Sequence, residues 1–173
     1  MQRKGIALIV DEAYIEYTNL KSAVSLVKRY DNLFVTRTFS KAYGLANFRI
    51  GYVVASEENV RWVSKLVLDF PISTLSEAAA VAALKDQKYL HRVVKRVLEN
   101  KRLLVDGLTR KGYQIFDGPN FILVKVDNVD KFKDLLAKNN IVIRPKKHLY
   151  YLKNFIRITI GEKRDCKKIL SLM

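Results

Sequence analysis

The stretch from Thr38 to Gly51 holds the side chains best suited to chemistry in this chain. It contains the hydroxyl groups of Thr38 and Ser40, the amine of Lys41 and the guanidinium of Arg49. Hydroxyls and an arginine on one loop suit a phosphate, because arginine binds oxyanions with two parallel hydrogen bonds. A neighbouring lysine can form an imine with an aldehyde. An ordinary surface loop would explain a lone Ser-Lys pair, so the prediction depends on the whole fourteen-residue stretch.

A second polar group, Asp11-Glu-Ala-Tyr14, follows a short apolar run that ends at Val10. In open α/β sheets, ligands bind outside the carboxyl ends of the strands. A carboxylate such as that of Asp11 also serves often as the cap of the following turn. Considered alone, these residues favour the cap, and a functional role stays open.

Arg157 lies inside an otherwise apolar segment, Asn154-Phe-Ile-Arg-Ile-Thr-Ile-Gly161. Arginine is seldom buried without a partner, because an unpaired charge in an apolar environment is costly. Either a structural acidic residue or an anionic ligand is therefore expected beside Arg157.

The elements that position these residues follow from periodicity and from turn and capping residues. Amphipathic spacing from Leu90 to Leu108, with Gly112 beyond it, predicts one long helix. Other helices are predicted at Ser22–Tyr30, Ser56–Val67, Ser76–Leu84, Val129–Lys138 and Glu162–Leu172. Strands are predicted at Ile6–Val10, Asn32–Thr38, Arg49–Ala55, Tyr113–Phe116, Phe121–Val126, Ile141–Arg144 and Phe155–Ile160.

This order of elements predicts an α/β protein with three strand units, a long helix and a small α+β unit. The first three strands are expected to be buried on both faces, as in parallel sheets. Little sequence is left to cover them, so we expect the chain to begin in the middle of a domain.

The composition excludes some classes of protein. The net charge of +15 comes from 32 Lys and Arg against 17 Asp and Glu, which suggests nucleic-acid binding. The basic residues are scattered, however, and no pairs of zinc ligands occur, so a solvated Lys-rich surface is favoured. Cys166 is the only cysteine, so we expect no intrachain disulfide and a cytoplasmic location. The apolar run before Asp11 is too short for a signal peptide, and none would cross a bilayer.

Three motifs occur in a characteristic order: Val10-Asp-Glu-Ala-Tyr14, then Thr38-Phe-Ser-Lys41 with Arg49-Ile-Gly-Tyr, then Arg157-Ile-Thr-Ile-Gly161. Together they resemble the fold-type I pyridoxal-phosphate (PLP) aminotransferases, and within these the histidinol-phosphate aminotransferases. The resemblance runs from Ile6 to the C-terminal helix. It implies that residues 1–88 are the rear part of a PLP-binding large domain, with a mostly parallel sheet, and that residues 89–173 are a small α+β domain.

The resemblance also implies roles for the cofactor-binding residues. Lys41 would bond covalently to PLP and later move a proton between the substrate Cα and the cofactor. Asp11 would pair with the pyridine nitrogen and keep it protonated. Tyr14 would hydrogen-bond the phenolic oxygen of the cofactor. The PLP phosphate would be held by Thr38, Ser40 and Arg49.

For the substrate, the resemblance implies that Arg157 binds an anionic group, which in amino acids is the α-carboxylate. Arg144 would lie near the substrate phosphate, and Asn120 near the active site. A surface arginine and a turn residue are the respective alternatives. Asn47 departs from the family, which often has glycine there. The implied reaction transfers an amino group between L-histidinol phosphate and 2-oxoglutarate; an aminotransferase for aromatic amino acids or aspartate is the alternative.

Family members also have a first half, which supplies a phosphate-binding loop, an aromatic ring stacked on PLP and a segment that reaches the dimer partner. We therefore expect a homodimer or an association with a separate N-terminal half. A catalytically inert remnant is a second hypothesis. A basic nucleic-acid-binding module is a third hypothesis, and strongly salt-dependent DNA binding would support it.

Overall fold

A computed structural model describes residues 5–68, 72–145 and 149–173. The chain divides into two compact units, Met1–Arg92 and Val93–Met173. Each is described below by itself, as the first and the second unit.

The first unit is built on a three-stranded sheet of β1 (Leu8–Asp11), β2 (Leu33–Thr38) and β3 (Gly51–Val54). Strands β1 and β2 are parallel, and β3 is antiparallel to β2. The carboxyl ends of β1 and β2 therefore lie at the same edge of the sheet as the amino end of β3. The polar residues around Asp11 and Lys41 follow β1 and β2 at this edge, which we call the site edge.

Only the central strand is well covered. Val35 of β2 is fully buried, whereas Leu8 is 38% exposed and Ile9 is 68% exposed. The prediction that all three strands are buried on both faces is therefore wrong for this structure. The physical reason is that the described residues packed over the sheet cover mainly Leu33 and Val35 of β2, in keeping with the little sequence available to cover these strands. Of the two strand pairs, only one is parallel.

The segment between β1 and β2 forms two 3-10 helices, Ile15–Tyr17 and Ala23–Leu26. The predicted helix over Ser22–Tyr30 is wrong in type and length, because the chain must turn before Leu33 begins β2. Two α-helices follow β3: α1 (Glu57–Ser64) and α2 (Thr74–Lys85).

These two helices begin where serine side chains cap them, which satisfies backbone N–H groups of the first turn. Ser56 accepts from the N–H of Asn59 at 3.4 Å, as its sequence position predicts. Ser73 accepts from the N–H of Ser76 at 3.1 Å. The second helix therefore begins at Thr74, before the predicted start at Ser76.

In the second unit an antiparallel sheet with the order β4-β5-β7-β6 packs against helices. The long helix α3 (Gln87–Arg110) leads into it, and Gly112 follows with a φ of +85°, as its sequence position predicts. The other elements are β4 (Ile115–Asp117), β5 (Phe121–Lys125), α4 (Val129–Lys138), β6 (Arg144–Pro145), β7 (Phe155–Thr159) and α5 (Lys163–Leu172).

The core of the second unit lies on one face of this sheet. Ile122 and Val124 of β5 and Ile156 and Ile158 of β7 are buried against Leu104 and Leu108 of α3 and residues of α4 and α5. Alternation along β5 and β7 leaves their other side chains on the opposite face, which includes Arg157. The predicted strand over Ile141–Arg144 is reduced to Arg144–Pro145, where the proline cannot donate to a ladder.

Candidate active site

Lys41 lies on a tight turn just beyond the end of β2. The strand ladder continues for one step, because the N–H of Phe39 donates to the carbonyl of Ile50 at 3.2 Å. The chain then turns back, and the N–H of Gly44 donates to the carbonyl of Lys41 at 3.0 Å. Gly44 has a φ of +73°, a conformation that glycine adopts without strain. The turn therefore holds Lys41 at the site edge.

Asp11 ends the neighbouring strand and is bonded to β2. Its Oδ1 accepts from the N–H of Ala13 at 3.0 Å and from the hydroxyl of Thr36 at 3.2 Å. The first bond is the local cap that the sequence favours, and the second is a cross-strand contact that the sequence does not predict. Asp11 remains exposed, so the cap does not bury its carboxylate.

Tyr14 meets Lys41 across the site edge. The Lys41 Nζ lies over the Tyr14 ring, 5.2 Å from its centroid. A cavity of about 220 Å³ opens beside Asp11 and Tyr14, and Lys21 also lines it. Residues from two separate loops are thus brought together at this edge.

The three residues predicted to bind a phosphate lie on the segment that forms the turn around Lys41. Thr38 Oγ1 accepts from the N–H of Ser40 at 3.1 Å. Thr38 pairs with Gly51, so Arg49, which precedes β3, is also placed at the site edge. Arg49 is exposed and has a φ of +51°. This left-handed conformation costs a non-glycine residue about 1–2 kcal/mol. Its Nη1 donates to the carbonyl of Ala46 at 2.8 Å.

Arg157 has a different environment, on the open face of the second unit's sheet. Its guanidinium carbon lies 3.9 Å from the centroid of the Phe121 ring. Its Nε is buried and has no hydrogen-bond partner among the described residues. No acidic side chain pairs with Arg157 in that part of the chain either. A buried donor without a partner costs about 1–3 kcal/mol, so among the described residues Arg157 keeps an unsatisfied donor on this face.

Space for a ligand exists beside this arginine. A cavity of about 420 Å³ is lined by Arg157 and Thr159 of β7 and by Val142, Ile143 and Pro145. Arg144 is the direct backbone partner of Arg157 in the β6–β7 ladder. The side chain of Arg144 lies outside the described part of the structure, so its predicted contact with a substrate phosphate stays a prediction.

Asn120 does not join Arg157 in a common contact among the described residues. Asn120 lies two residues before Ile122, so alternation along the strand places it on the same face as Ile122, whose side chain is buried in the core. Arg157 pairs with Leu123, on the open face. The Oδ1 of Asn120 is buried and has no hydrogen-bond partner in the described ranges. Its backbone carbonyl accepts from the N–H of Ile160 at 3.0 Å, which extends the β5–β7 ladder by one step and does not involve the side chain.

A family model described as aminotransferase class I and II matches residues 1–172. The chain belongs to this family. A histidinol-phosphate aminotransferase of Staphylococcus aureus strain JH9 is 38% identical over 172 residues, which are 97% of this chain and 47% of that protein. The chain therefore spans about half the length of the curated relatives it matches.

Solved structures agree with this family. The histidinol-phosphate aminotransferase of Clostridium acetobutylicum superposes with a TM-score of 0.87 at 27% identity, over 99% of this chain and 54% of that one. The Sinorhizobium meliloti histidinol-phosphate aminotransferase, solved in complex with pyridoxal-5'-phosphate, superposes with a TM-score of 0.83 at 27% identity, over 95% of this chain and 47% of that one. The predicted resemblance and the α/β fold class are confirmed.

In this aminotransferase chain, the sequence did not predict a role for Glu12, which belongs to the Asp11–Tyr14 motif. Glu12 is only 6% exposed and forms an ion pair of 2.8 Å with Arg37. Burial raises the pKa of Glu12, but hydrogen bonds from Ser22, Ala23 and Arg37 outweigh it and lower the pKa below its ordinary value. A sequence signal existed, since Arg37 is a charged residue inside a strand and needs a partner.

Two further features bear on function. Among residues 5–68, 72–145 and 149–173, no group of three or more His, Cys, Asp or Glu side chains is arranged to hold a metal ion. No helix within those ranges has the length and apolar character needed to span a membrane.

Proposed function

We propose that this chain supplies the lysine-bearing part of a PLP-dependent aminotransferase, with Lys41 as the lysine that binds the cofactor. The observation that carries the proposal is the meeting of Lys41 with Tyr14 at 5.2 Å, beside Asp11 at the same edge of the sheet. The family and the PLP-containing Sinorhizobium structure support the choice of cofactor.

The residues at the site edge fit PLP chemically. A carboxylate, a phenol, an amine and a phosphate-binding turn with an arginine are all available, and the exposed Arg49 extends from a strained backbone position. Strained positions are concentrated at ligand-binding sites. We assign the phosphate to Thr38, Ser40 and Arg49.

Bound PLP would supply an electron sink for the negative charge that develops on the substrate Cα. Asp11 would accept a hydrogen bond from the pyridine N–H and keep that nitrogen protonated. Tyr14 would donate to the phenolic oxygen of the cofactor. The Lys41 amine, once released by the incoming substrate amine, would take the proton from the substrate Cα as a general base.

Substrate binding is assigned to the second unit. Arg157 combines an Nε that has no partner within the described ranges with an adjoining cavity of about 420 Å³, so we assign it to an anionic group of each substrate. Arg144 and Asn120 are proposed as further substrate contacts. The names of the relatives favour L-histidinol phosphate as the amino donor, and we propose 2-oxoglutarate as the acceptor. This would be a step of histidine biosynthesis in the cytoplasm.

The relatives are about twice as long as this chain. We therefore propose that a complete active site needs further polypeptide and a second subunit, as a homodimer or as an association with a separate N-terminal half. The exposed edge strand β1 supports this, because Leu8 and Ile9 leave apolar surface uncovered.

The function is tested with a full-length enzyme in which the N-terminal portion of the Staphylococcus aureus relative is joined to this chain. We expect PLP-dependent formation of glutamate from L-histidinol phosphate and 2-oxoglutarate, abolished by Lys41→Ala. Exposed Lys65→Ala is the matched control. Activity that survives Lys41→Ala would contradict the assignment, and preference for an aromatic amino acid or aspartate would reassign the substrate.

A further inference from the structure

We propose that Glu12 is a positioning residue of the candidate active site, whose buried carboxylate fixes the turn from Asp11 to Tyr14 against β2. The inference rests on the proposed function for the roles of Asp11 and Tyr14. Its geometric content, the placement of Tyr14 against Lys41, is independent of that function.

The carboxylate of Glu12 is bound on both oxygens. Oε2 accepts from the Ser22 hydroxyl at 2.8 Å and from Nε and Nη2 of Arg37 at 3.0 and 2.8 Å. Oε1 accepts from the N–H of Ala23 at 2.6 Å. Arg37 Nη2 also donates to the Ser22 hydroxyl at 2.8 Å, which closes a triangle of three side chains. The side chain of Glu12 is 5% exposed and that of Arg37 is 21% exposed.

The backbone of Glu12 is held as firmly as its side chain. Its N–H donates to the carbonyl of Thr36 on β2 at 2.9 Å. Its carbonyl accepts from the N–H of Ile15 at 3.1 Å. Glu12 adjoins Asp11 and precedes Tyr14 by two residues. Both site residues are therefore attached to a short turn whose middle is fixed by charged, buried hydrogen bonds.

The same triangle reaches the strand that delivers the lysine. Arg37 is on β2, one residue before Thr38 and four before Lys41, and it pairs across the sheet with Tyr52. Other links between these segments are the backbone bond from the Glu12 N–H to the Thr36 carbonyl and the bond from the Thr36 hydroxyl to the exposed Asp11. An exposed hydrogen bond constrains less than a buried, charge-assisted one. The Glu12 triangle is therefore a buried, charge-assisted restraint on the turn that places Tyr14 opposite Lys41.

The test measures this placement in the chain without cofactor. A Lys41 ε-methylene group near the Tyr14 ring is shifted by the ring current, and Lys41→Arg identifies its NMR resonance. In Glu12→Gln, which keeps the side-chain shape and removes the charge, we expect most of this shift to be lost. Glu58→Gln, an exposed acid at the start of α1, is the matched control and leaves the shift unchanged.

An unchanged Lys41 resonance in a folded Glu12→Gln protein would overturn the proposal. If that variant does not fold, Ser22→Ala decides, because it removes the two sides of the triangle that involve the Ser22 hydroxyl and keeps the ion pair. A partial loss of the shift in Ser22→Ala supports the proposal, and an unaltered shift overturns it. Since no cofactor is present, a failure of Lys41 to bind PLP leaves this result untouched, so the two proposals fail separately.

Discussion

The amine of Lys41 lies 5.2 Å from the centroid of the Tyr14 ring, although the two residues follow different strands. The parallel pairing of β1 with β2 produces this proximity, because it brings the carboxyl ends of both strands to one edge. The same edge carries Asp11 and, through the pairing of Thr38 with Gly51, the segment of Arg49. A lysine, a phenol, a carboxylate and a turn flanked by hydroxyls and an arginine are thus gathered at one edge of a small sheet.

Replacing Asp11 by asparagine tests its proposed pairing with the pyridine nitrogen. In the full-length enzyme described above, Asp11→Asn should retain PLP but lower kcat by about 100-fold, the size typical of losing one electrostatic partner at a reacting centre. Steady-state kinetics and the absorbance of bound PLP measure the two effects. The exposed Asp31→Asn should change neither. Unaltered turnover in Asp11→Asn would remove this residue from its role.

Glu12 should make the free energy of unfolding fall as the pH is lowered into the acid range. Its pKa is lowered in the folded state, so it stabilises the protein above its ordinary pKa of 4.5 and this contribution is lost as pH falls through the folded value. Glu12→Gln should therefore cost about 3 kcal/mol at neutral pH, as expected when one partner of a buried ion pair is removed. The destabilisation caused by Glu12→Gln should be smaller at acid pH.

Urea denaturation followed by Trp62 fluorescence measures this difference, since Trp62 is the only tryptophan and belongs to the same unit. Glu58→Gln serves as the control at both pH values. A cost for Glu12→Gln that is the same at neutral and acid pH would show that the carboxylate charge does not stabilise the fold.

Ionised Glu16 should lower the free energy of unfolding at neutral pH, which is opposite to the effect of Glu12. Burial raises its pKa, the nearby charge of Glu12 adds to the rise, and its own backbone N–H and Arg37 partly oppose it. A raised folded pKa means that ionised Glu16 lowers stability at neutral pH; this penalty shrinks as pH falls through the folded pKa and is absent below the ordinary pKa of 4.5. Glu16→Gln should therefore increase the free energy of unfolding at pH 7. A decrease, measured by the same denaturation assay, would contradict this sign.

Arg157 should support substrate binding without increasing the free energy of unfolding. Its Nε is buried without a partner in the described ranges, so Arg157→Met should leave the free energy of unfolding unchanged or raise it. In the full-length enzyme the same change should raise KM for 2-oxoglutarate roughly 100-fold, because a charged contact to the substrate is lost. Exposed Arg110→Met is the control. A marked loss of stability with an unaffected KM would indicate a structural arginine.

Lys101 should hold the turn that leads to Asn120. Its Nζ lies 2.9 Å from Asp117 Oδ1 and 2.9 Å from the Gly118 carbonyl, and its side chain is 14% exposed. Lys101→Met should destabilise the second unit by about 1–2 kcal/mol and speed hydrogen exchange at the Gly118 amide, which donates to Phe121. Lys95→Met, on the exposed side of α3, should do neither. Equal exchange in both variants would contradict this role.

Local signals explain which elements could be predicted from the sequence. Helix α4 has the predicted bounds, Val129–Lys138, because Asn128 caps it and its apolar residues recur at helical spacing. The turn around Lys41 was likewise predictable, since a strand, a glycine and a second strand are all visible in the sequence. The long helix was predicted because its apolar face persists over many turns.

Other features depend on tertiary contacts that no local pattern contains. The segment after Ser22 forms a 3-10 helix whose first N–H groups bond to Glu12 and to the Ser22 hydroxyl. The ion pair between Glu12 and Arg37 joins residues 25 positions apart. The exposure of Leu8 and Ile9 in β1 depends on which segments pack over the sheet, which hydrophobicity does not report. The roles assigned to the site residues and the domain identities of residues 1–88 and 89–173 stay predictions.

The most direct measurement of the central claim is the selectivity with which PLP labels lysines of the purified chain. Borohydride reduction fixes the cofactor to the amines that bind it, and peptide mapping locates the adducts. The account predicts a dominant adduct on Lys41 that vanishes in Lys41→Arg and persists in Lys65→Arg. Labelling spread evenly over the surface lysines, or absent from Lys41, would contradict the assignment of Lys41 as the cofactor-binding residue.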